Sequence, residues 1–287
     1  MLKKHVGQKW RLLPTLTKDG FSHMAMDQAL LEAAATPEFP PSLRFIRWSP
    51  PALSIGRFQD ISDIDLEECS KHGVDVVRRP TGGKCLLHMD DFTYSIILPT
   101  GFDIPDKIED AYKRICVAIT TALRYLGLQT TVQARGQAVH MRASSACFAV
   151  ATKADVEYEG HKICGSAQVR KNGALLQHGS IMIMDHSEFL FNLLRFESER
   201  EREENLNAYR KSCIHIGKTG CICTWEDLAD SFRKGFSESF GAVFKEGKLT
   251  AWEEGLWRSL VSAYRSEQWL KNAKADDFPK KEGLMIS

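Results

Sequence analysis

The sequence predicts one α/β domain with a smaller helical C-terminal part. Three observations carry this. Up to about residue 200, short β-branched and aromatic runs closed by Pro and Gly alternate with helical patterns. Asn172-Gly173 stands between two strand-like runs, a strong hairpin signal. Beyond the charge run "ESEREREENLN" (197–207) the readable periodicity is helical. No internal repeat and no low-complexity linker divides the chain. We therefore take 1–200 as the core and 201–287 as a helical part of the same domain.

Taken in order, "SHMAMDQALLEAAATP" reads as a helix capped by Ser22, with Met26, Ala29, Leu30 and Ala33 on one face and Pro37 as its stop. Two strands follow, "LRFIRW" (43–48) and "ALSIGRF" (52–58), parted by Ser-Pro-Pro. "DVVRR" (75–79) and "FTYSIIL" (92–98) read as strands flanking a glycine-containing turn. A helix is predicted over 106–126, where Ile108, Ala111, Tyr112, Ile115, Ile119, Ala122 and Leu126 keep the period and Gly127 suits the end. Residues 154–184 read as strands broken at Glu159-Gly160 and Asn172-Gly173, and Ser187 starts a short helix through Phe196. The charge run reads as a solvated loop or helix surface. Thr224 and Asp227 form a capping box for a helix near 225–240, and Trp257, Leu260, Val261 and Tyr264 mark a last helix face.

Composition bounds the function classes. Of 287 residues, 43% are hydrophobic and 26% charged, as in a globular protein with a proper core. The 38 basic and 37 acidic residues nearly cancel, which argues against nucleic acid or an anionic membrane as partner. The N-terminal stretch holds lysines but no apolar signal segment, and no run of about 18 apolar residues occurs, so a cytoplasmic protein is expected. The cysteines at 69, 85, 116, 147, 164, 213, 221 and 223 lack the paired spacings of a zinc site. They are expected as free thiols, mostly inert and buried, and no metal is expected.

Chemistry concentrates in two stretches. In "VVRRPTGGKCLLHMDDFTYS" (76–95), Gly82 and Gly83 permit backbone dihedrals closed to other residues and expose N–H groups to an approaching acyl chain or anion. Arg78 and Arg79 alternate faces on a strand, so one is expected to meet a ligand or carboxylate and the other solvent. His88 is a candidate base. In "ASSACFAVATKADVEYEGHKICGSAQ" (143–168), Cys147 and Lys162 suit acyl transfer through a thioester. An ammonium near a thiol raises its thiolate fraction, and it can also hold a carbonyl oxygen as charge develops. Cys164 is a rival, since on a regular strand it shares a face with Lys162, and Cys85 beside Lys84 is another.

These motifs together resemble a family. "RRPTGGKCLLHMDDFTYS" is similar to the RRxTGGxxxxH…TYS signature of the biotin/lipoate protein ligase superfamily. "HMAMDQALL", "LSIGRFQ", "EGHKICGSAQ", "LLQHGSI" and "FRKGFSESFGAVFKEGKLTAWE" extend the resemblance over nearly the whole chain. Within it, "SSACF" places Cys147 where octanoyltransferases of the LipM type carry their nucleophile, and Lys162 matches the family lysine. The stretch after it, "AVATKAD", departs from the family's Asp-x-Pro-Ser-x-Tyr-Glu pattern.

The resemblance implies a mixed, largely antiparallel sheet flanked by helices. It implies that Cys147 takes octanoate from octanoyl-acyl carrier protein as a thioester and passes it to a lysine of a lipoyl domain, such as the glycine-cleavage H protein. Neither ATP nor another cofactor is then needed. Lys162 would position the acyl carbonyl, Gly82 and Gly83 would line the chain channel beside His88, and Gly165, Ser166 and Gln168 would offer hydrogen bonds near the carbonyl. His178 joins them through "QHGS". An ATP-dependent lipoate ligase, octanoyl transfer between lipoyl domains, and a non-catalytic binder of lipoyl domains or acyl chains are the alternative readings.

Overall fold

The computed structural model describes residues 7–133 and 155–272. Along the chain come strands β1 (Gln8–Leu12) and β2 (Leu16–Lys18), helix α1 (Gly20–Ala33), β3 (Ser42–Trp48), β4 (Ala52–Ile55), α2 (Leu66–Lys71), β5 (Asp75–Arg78), β6 (Leu86–His88) and β7 (Asp91–Leu98). Helix α3 (Ile108–Arg124) leads to β8 (Thr130–Val132), β9 (Val156–Tyr158), β10 (His161–Lys171) and β11 (Ala174–Met182). Then follow α4 (Ser187–Asn192), α5 (Glu199–Ser212), α6 (Trp225–Phe240), β12 (Ala242–Glu246), α7 (Ala251–Arg265) and α8 (Glu267–Asn272).

The larger sheet runs β12-β1-β3-β7-β11-β10-β9-β8, with β2 beside β3. Its pairs from β3 through β7, β11, β10 and β9 to β8 are antiparallel, while β1 is parallel to both β12 and β3. A small sheet, β5-β4-β6, carries the arginine and glycine motif at its edge. The tight turns behave as their residues require. Asn172 and Gly173, and likewise Glu159 and Gly160, all take positive φ, the backbone that closes a two-residue hairpin.

One face of the large sheet packs on α3 and α6 through Phe92, Tyr94, Ile115, Ile119, Phe232 and Phe236. Each such side chain contributes roughly 1.5–3 kcal/mol by leaving water. The two helices approach so closely that a Cβ on Gly235 would lie 2.5 Å from the Ala122 nitrogen. On the other face, α1 lies between the sheet and α7, meeting Leu176 and Ile97 on one side and Leu256, Leu260 and Tyr264 on the other. That is why α1 is buried almost all round rather than along one stripe, and why it can hold His23 and Asp27 away from water.

Some local expectations change and others hold. Asp19 rather than Ser22 caps α1, its carboxylate accepting the Ser22 N–H at 2.7 Å, because the helix begins one turn earlier. The charge run forms α5. The Thr224–Asp227 capping box is present. The C-terminal part also supplies a strand, β12, which completes the sheet edge beside β1.

Candidate functional site

The motif opens where β5 ends. Arg78 and Arg79 are both buried, at 3% and 5% exposure, so neither meets solvent. Strand alternation stops applying once β5 ends at Arg78. The Arg78 guanidinium donates to the carbonyls of Leu270, Gly56, Arg57 and Gln59, tying α8 and the 56–59 loop to the motif. The Arg79 guanidinium donates to the carbonyls of Ser54 (2.9 Å), Gly82 (2.8 Å) and Lys84 (2.7 Å) and so shapes the turn itself. Of the glycine pair, only Gly83 needs its freedom, with φ at +97°. Gly82 has ordinary φ and open space where a Cβ would stand. The close approach is made by Gly56, whose Cβ would fall 1.7 Å from the Gly83 carbonyl oxygen.

Behind this turn, a buried polar chain crosses the sheet. Thr81 Oγ1 donates to His178 Nε2 at 2.7 Å, and His178 Nδ1 donates to Asp27 Oδ2 at 2.8 Å. Asp27 Oδ1 accepts from Arg44 (2.7 Å) and Ser95 (2.9 Å). Burial pushes the Asp27 carboxyl up, but Arg44, His178 and Ser95 outweigh it and hold the group below the ordinary carboxylate value. Burial pulls His178 down despite Asp27, so it stays neutral. His23 donates from Nε2 to the Arg47 carbonyl and accepts from Arg44 at Nδ1, which fixes its tautomer. Burial, with Arg44 beside it, lowers His23 to about 3.

A second chain stands across from the first. Ser54 Oγ lies 2.9 Å from His88 Nε2, and His88 Nδ1 lies 2.8 Å from Asp91 Oδ2. Asp91 Oδ2 also accepts from Thr93 and Ser180. The indole of Trp48 stacks on the His88 ring at 3.9 Å and donates to Thr93 at 3.0 Å, which locks the imidazole plane.

The two chains border one narrow cleft. Its lining unites Arg79, His88, Gly165, Ser166 and His178 with Met24, Trp48, Ser54, Leu86, Thr93 and Gly179. Gly179 is required there, since a Cβ would lie 2.5 Å from Ser166 Oγ and 2.6 Å from the Gly165 oxygen. The other residues singled out from sequence stand elsewhere. Arg78 serves the loops described above. Gln168 donates to Gln177 at 2.9 Å. Lys162 is buried and pairs with Asp155 at 3.0 Å, three residues before Gly165 on β10. The register against β9 shifts between Lys162 and Cys164, and both side chains act electrostatically on the buried Cys116 thiol. Cys164 enters the hydrophobic core, with its Sγ 3.7 Å from the Oγ of the cleft-lining Ser166. Cys147 lies outside the described residues.

Sequence reasoning missed Asp27, Ser54, Trp48, Asp91 and Arg44 as parts of this site. A signal existed for some of them. Asp27 stands beside Met24, Met26, Ala29 and Leu30 on a helix rich in apolar residues, and Asp91 follows His88 by three residues. Among the described residues no cluster of His, Cys, Asp and Glu is arranged to hold a metal, and no helix is long and apolar enough to cross a membrane.

Comparison with known proteins agrees with this architecture. The profile of the lipoyl protein ligase A/B catalytic domain matches residues 19–237. The chain is 36% identical over 269 residues to octanoyltransferase LipM of Geobacillus kaustophilus, covering 91% of this chain and 97% of that one. Among solved structures it resembles a bipartite lipoate protein ligase from Thermoplasma acidophilum, with TM-score 0.78, 24% identity and coverage of 94% and 99%. It also resembles a lipoate-protein ligase A bound with ATP, with TM-score 0.77, 24% identity and coverage of 93% and 100%. At that identity the structural likeness speaks for the fold, and the sequence likeness speaks for the subfamily. The chain belongs to the lipoyl protein ligase A/B catalytic family, among its LipM-type octanoyltransferases.

Proposed function

We propose that this enzyme moves an octanoyl group from octanoyl-acyl carrier protein to Cys147, and from there to a lysine of a lipoyl domain such as the glycine-cleavage H protein. The observation that carries the reading is near-full-length identity of 36% to an octanoyltransferase, against 24% to an ATP-bound ligase. A thioester donor is already activated, so neither ATP nor a metal enters the scheme. The same reading assigns the enzyme to the cytoplasm.

Five of the seven described thiols are poor rivals to Cys147. Cys85 and Cys164 are buried at 0% and 1% exposure. Burial pushes the thiols of Cys69 and Cys213 up to about 12 and that of Cys116 well above its ordinary value. A buried neutral thiol is a poor nucleophile at neutral pH.

In this scheme the acyl chain lies along Met24, Leu86 and Trp48, which gains roughly 0.8 kcal/mol per buried methylene. In it the backbone at Gly165 and Ser166 serves the carbonyl end, and Lys162, three residues earlier on β10, is the cation assigned to the Cys147 thiolate. The same reading takes 201–287 as part of the catalytic domain, because β12 and α6 complete its sheet and core.

The test is an intact mass after incubation with octanoyl-acyl carrier protein in the absence of ATP, with Cys147→Ser and Cys164→Ser alongside. A hydroxylamine-sensitive octanoyl adduct missing only from Cys147→Ser is expected. No adduct on any form, with lipoyl-domain acylation appearing once ATP and free acid are supplied, would replace the transferase reading by the ligase.

A further inference from the structure

The cleft is flanked by two hydroxyl–histidine–carboxylate chains, Thr81–His178–Asp27 and Ser54–His88–Asp91. They look alike, but their charges are balanced differently. The Asp27 carboxylate is matched by the Arg44 guanidinium at 2.7 Å. A proton added to His178 would therefore meet a carboxylate already neutralised. Asp91 accepts from the hydroxyls of Thr93 and Ser180, and the ion-pair partner found for it among the described residues is His88 itself. A proton arriving on His88 is what would complete that pair.

His88 also stands where a proton would arrive. It lines the inner cleft together with Ser54 and Arg79. With Trp48 it also lines an outer hollow of ≈ 440 Å³, whose wall includes Arg47, Asp90, Met184 and Trp225. The stacked pair of Trp48 and His88 thus separates the buried cleft from an open approach. A lysine side chain entering from solvent would pass the exposed carboxylate of Asp90, which attracts its ammonium, and the apolar edge of Trp48. The Trp225 ring in the same wall is covered by the Arg47 guanidinium at 4.0 Å.

We propose that His88, oriented by Asp91 and Ser54, accepts the proton of the acceptor lysine and so releases the amine that attacks the octanoyl thioester. The inference rests on the thioester reading above and adds a base for its second half. His88 Nδ1–H donates to Asp91, so the Nε2 lone pair is the accepting site, reached directly or through the Ser54 hydroxyl. The lysine ammonium gives one proton to Nε2. Its nitrogen then forms a bond to the acyl carbon, the carbon–sulfur bond breaks, and the electron pair leaves with the Cys147 sulfur. The second proton of the attacking nitrogen passes to that thiolate, and the amide keeps one hydrogen. His88 returns its proton to solvent. The charged and titratable groups facing His88 are Asp91 on β7, Arg79 beyond β5, His178 on β11 and His23 on α1.

The test separates the half-reactions. Octanoyl-enzyme is formed with octanoyl-acyl carrier protein, isolated, and mixed with a lipoyl domain in single turnovers from about pH 6 to pH 10. His88→Gln is expected to accumulate octanoyl-enzyme yet transfer it about 10²-fold more slowly at neutral pH. That deficit should shrink as pH rises, because the lysine then loses its proton unaided. Asp91→Asn and Ser54→Ala should show the same pattern with smaller deficits, which keeps the proposal testable if His88→Gln folds poorly. Wild-type transfer at neutral pH in all three variants would overturn it, as would a deficit that is constant across pH, the mark of a merely structural residue. If wild-type enzyme forms no octanoyl adduct, the thioester reading itself falls. If it forms and transfers one while the variants keep pace, this proposal falls alone.

Discussion

Arg44 Nη1 lies 2.7 Å from Asp27 Oδ1 with both side chains sealed from solvent, at 2% and 0% exposure. The pair joins α1 to β3, and the same carboxylate reaches Ser95 on β7 and His178 on β11. Removing two ions from water is costly, and the attraction offsets it only because the remaining lone pairs of Asp27 are also filled. Asp27→Asn would leave the guanidinium buried without its counter-charge. A loss of about 3–5 kcal/mol is expected in denaturant unfolding. A change below about 1 kcal/mol would mean that the pair does not hold these elements together.

The histidines of this network make stability fall in acid. His23 is lowered from 6.5 to about 3, first by burial and then by Arg44. Between those values the unfolded chain binds a proton at this position and the folded chain does not. Unfolding free energy should therefore be highest above pH 6.5 and decline as pH falls toward 3. The slope approaches about 1.4 kcal/mol per pH unit for one differing proton. His178, also lowered by burial, acts with the same sign. Asp27, held below its ordinary 3.8, adds its own loss only below that value. Denaturant titrations at stepped pH should give His23→Gln a visibly shallower decline across that window than wild type. Parallel curves for the two proteins would remove His23 from the account.

The glycines of the motif divide by steric need. Gly56→Ala would drive a Cβ into the Gly83 carbonyl at 1.7 Å, backbone that cannot turn aside, so the 80–84 turn must move. Loss of acyl transfer is expected, with a stability cost of at least about 2 kcal/mol. Gly82→Ala meets nothing within 4 Å and needs no positive φ. It should change stability by no more than about 0.5 kcal/mol. Thermal unfolding and initial transfer rates check both, and equal behaviour of the two variants would refute the distinction.

What the sequence revealed follows from how locally each feature is encoded. Hairpins at Asn172-Gly173 and the capping box at Thr224 depend on neighbours a few residues apart, and both are present. The larger helices and the strands around the motif were readable from periodicity for the same reason. The site depends on distant pairings. Asp27 meets Arg44 and His178 across separations of 17 and 151 residues, which no local pattern records. The arginine pair was misread because alternation assigned one of the two to solvent, while α8, arriving from about 190 residues away, covers Arg78 and the turn itself encloses Arg79. The register shift between Lys162 and Cys164 is likewise something that sequence does not announce.

Arg78 itself yields the remaining expectation. Helix α8 has 6 residues, too few to persist alone in water. It is held by Arg78, whose Nε and Nη2 donate to the Leu270 carbonyl at 3.0 and 2.6 Å, and by Trp269 Nε1 donating back to the Arg78 carbonyl at 2.9 Å. The remaining Arg78 nitrogen serves the carbonyls of Gly56, Arg57 and Gln59. Arg78→Met keeps the apolar stem and deletes all of these bonds, leaving carbonyls buried without donors. A loss of about 2–4 kcal/mol is expected. Amide hydrogen exchange should quicken in 266–272 and 56–59 together, since one guanidinium serves both segments. Trp269→Ala should quicken exchange in 266–272 but leave 56–59 protected by the intact arginine. If Arg78→Met loosened only one of the two segments, the guanidinium would not be their common anchor.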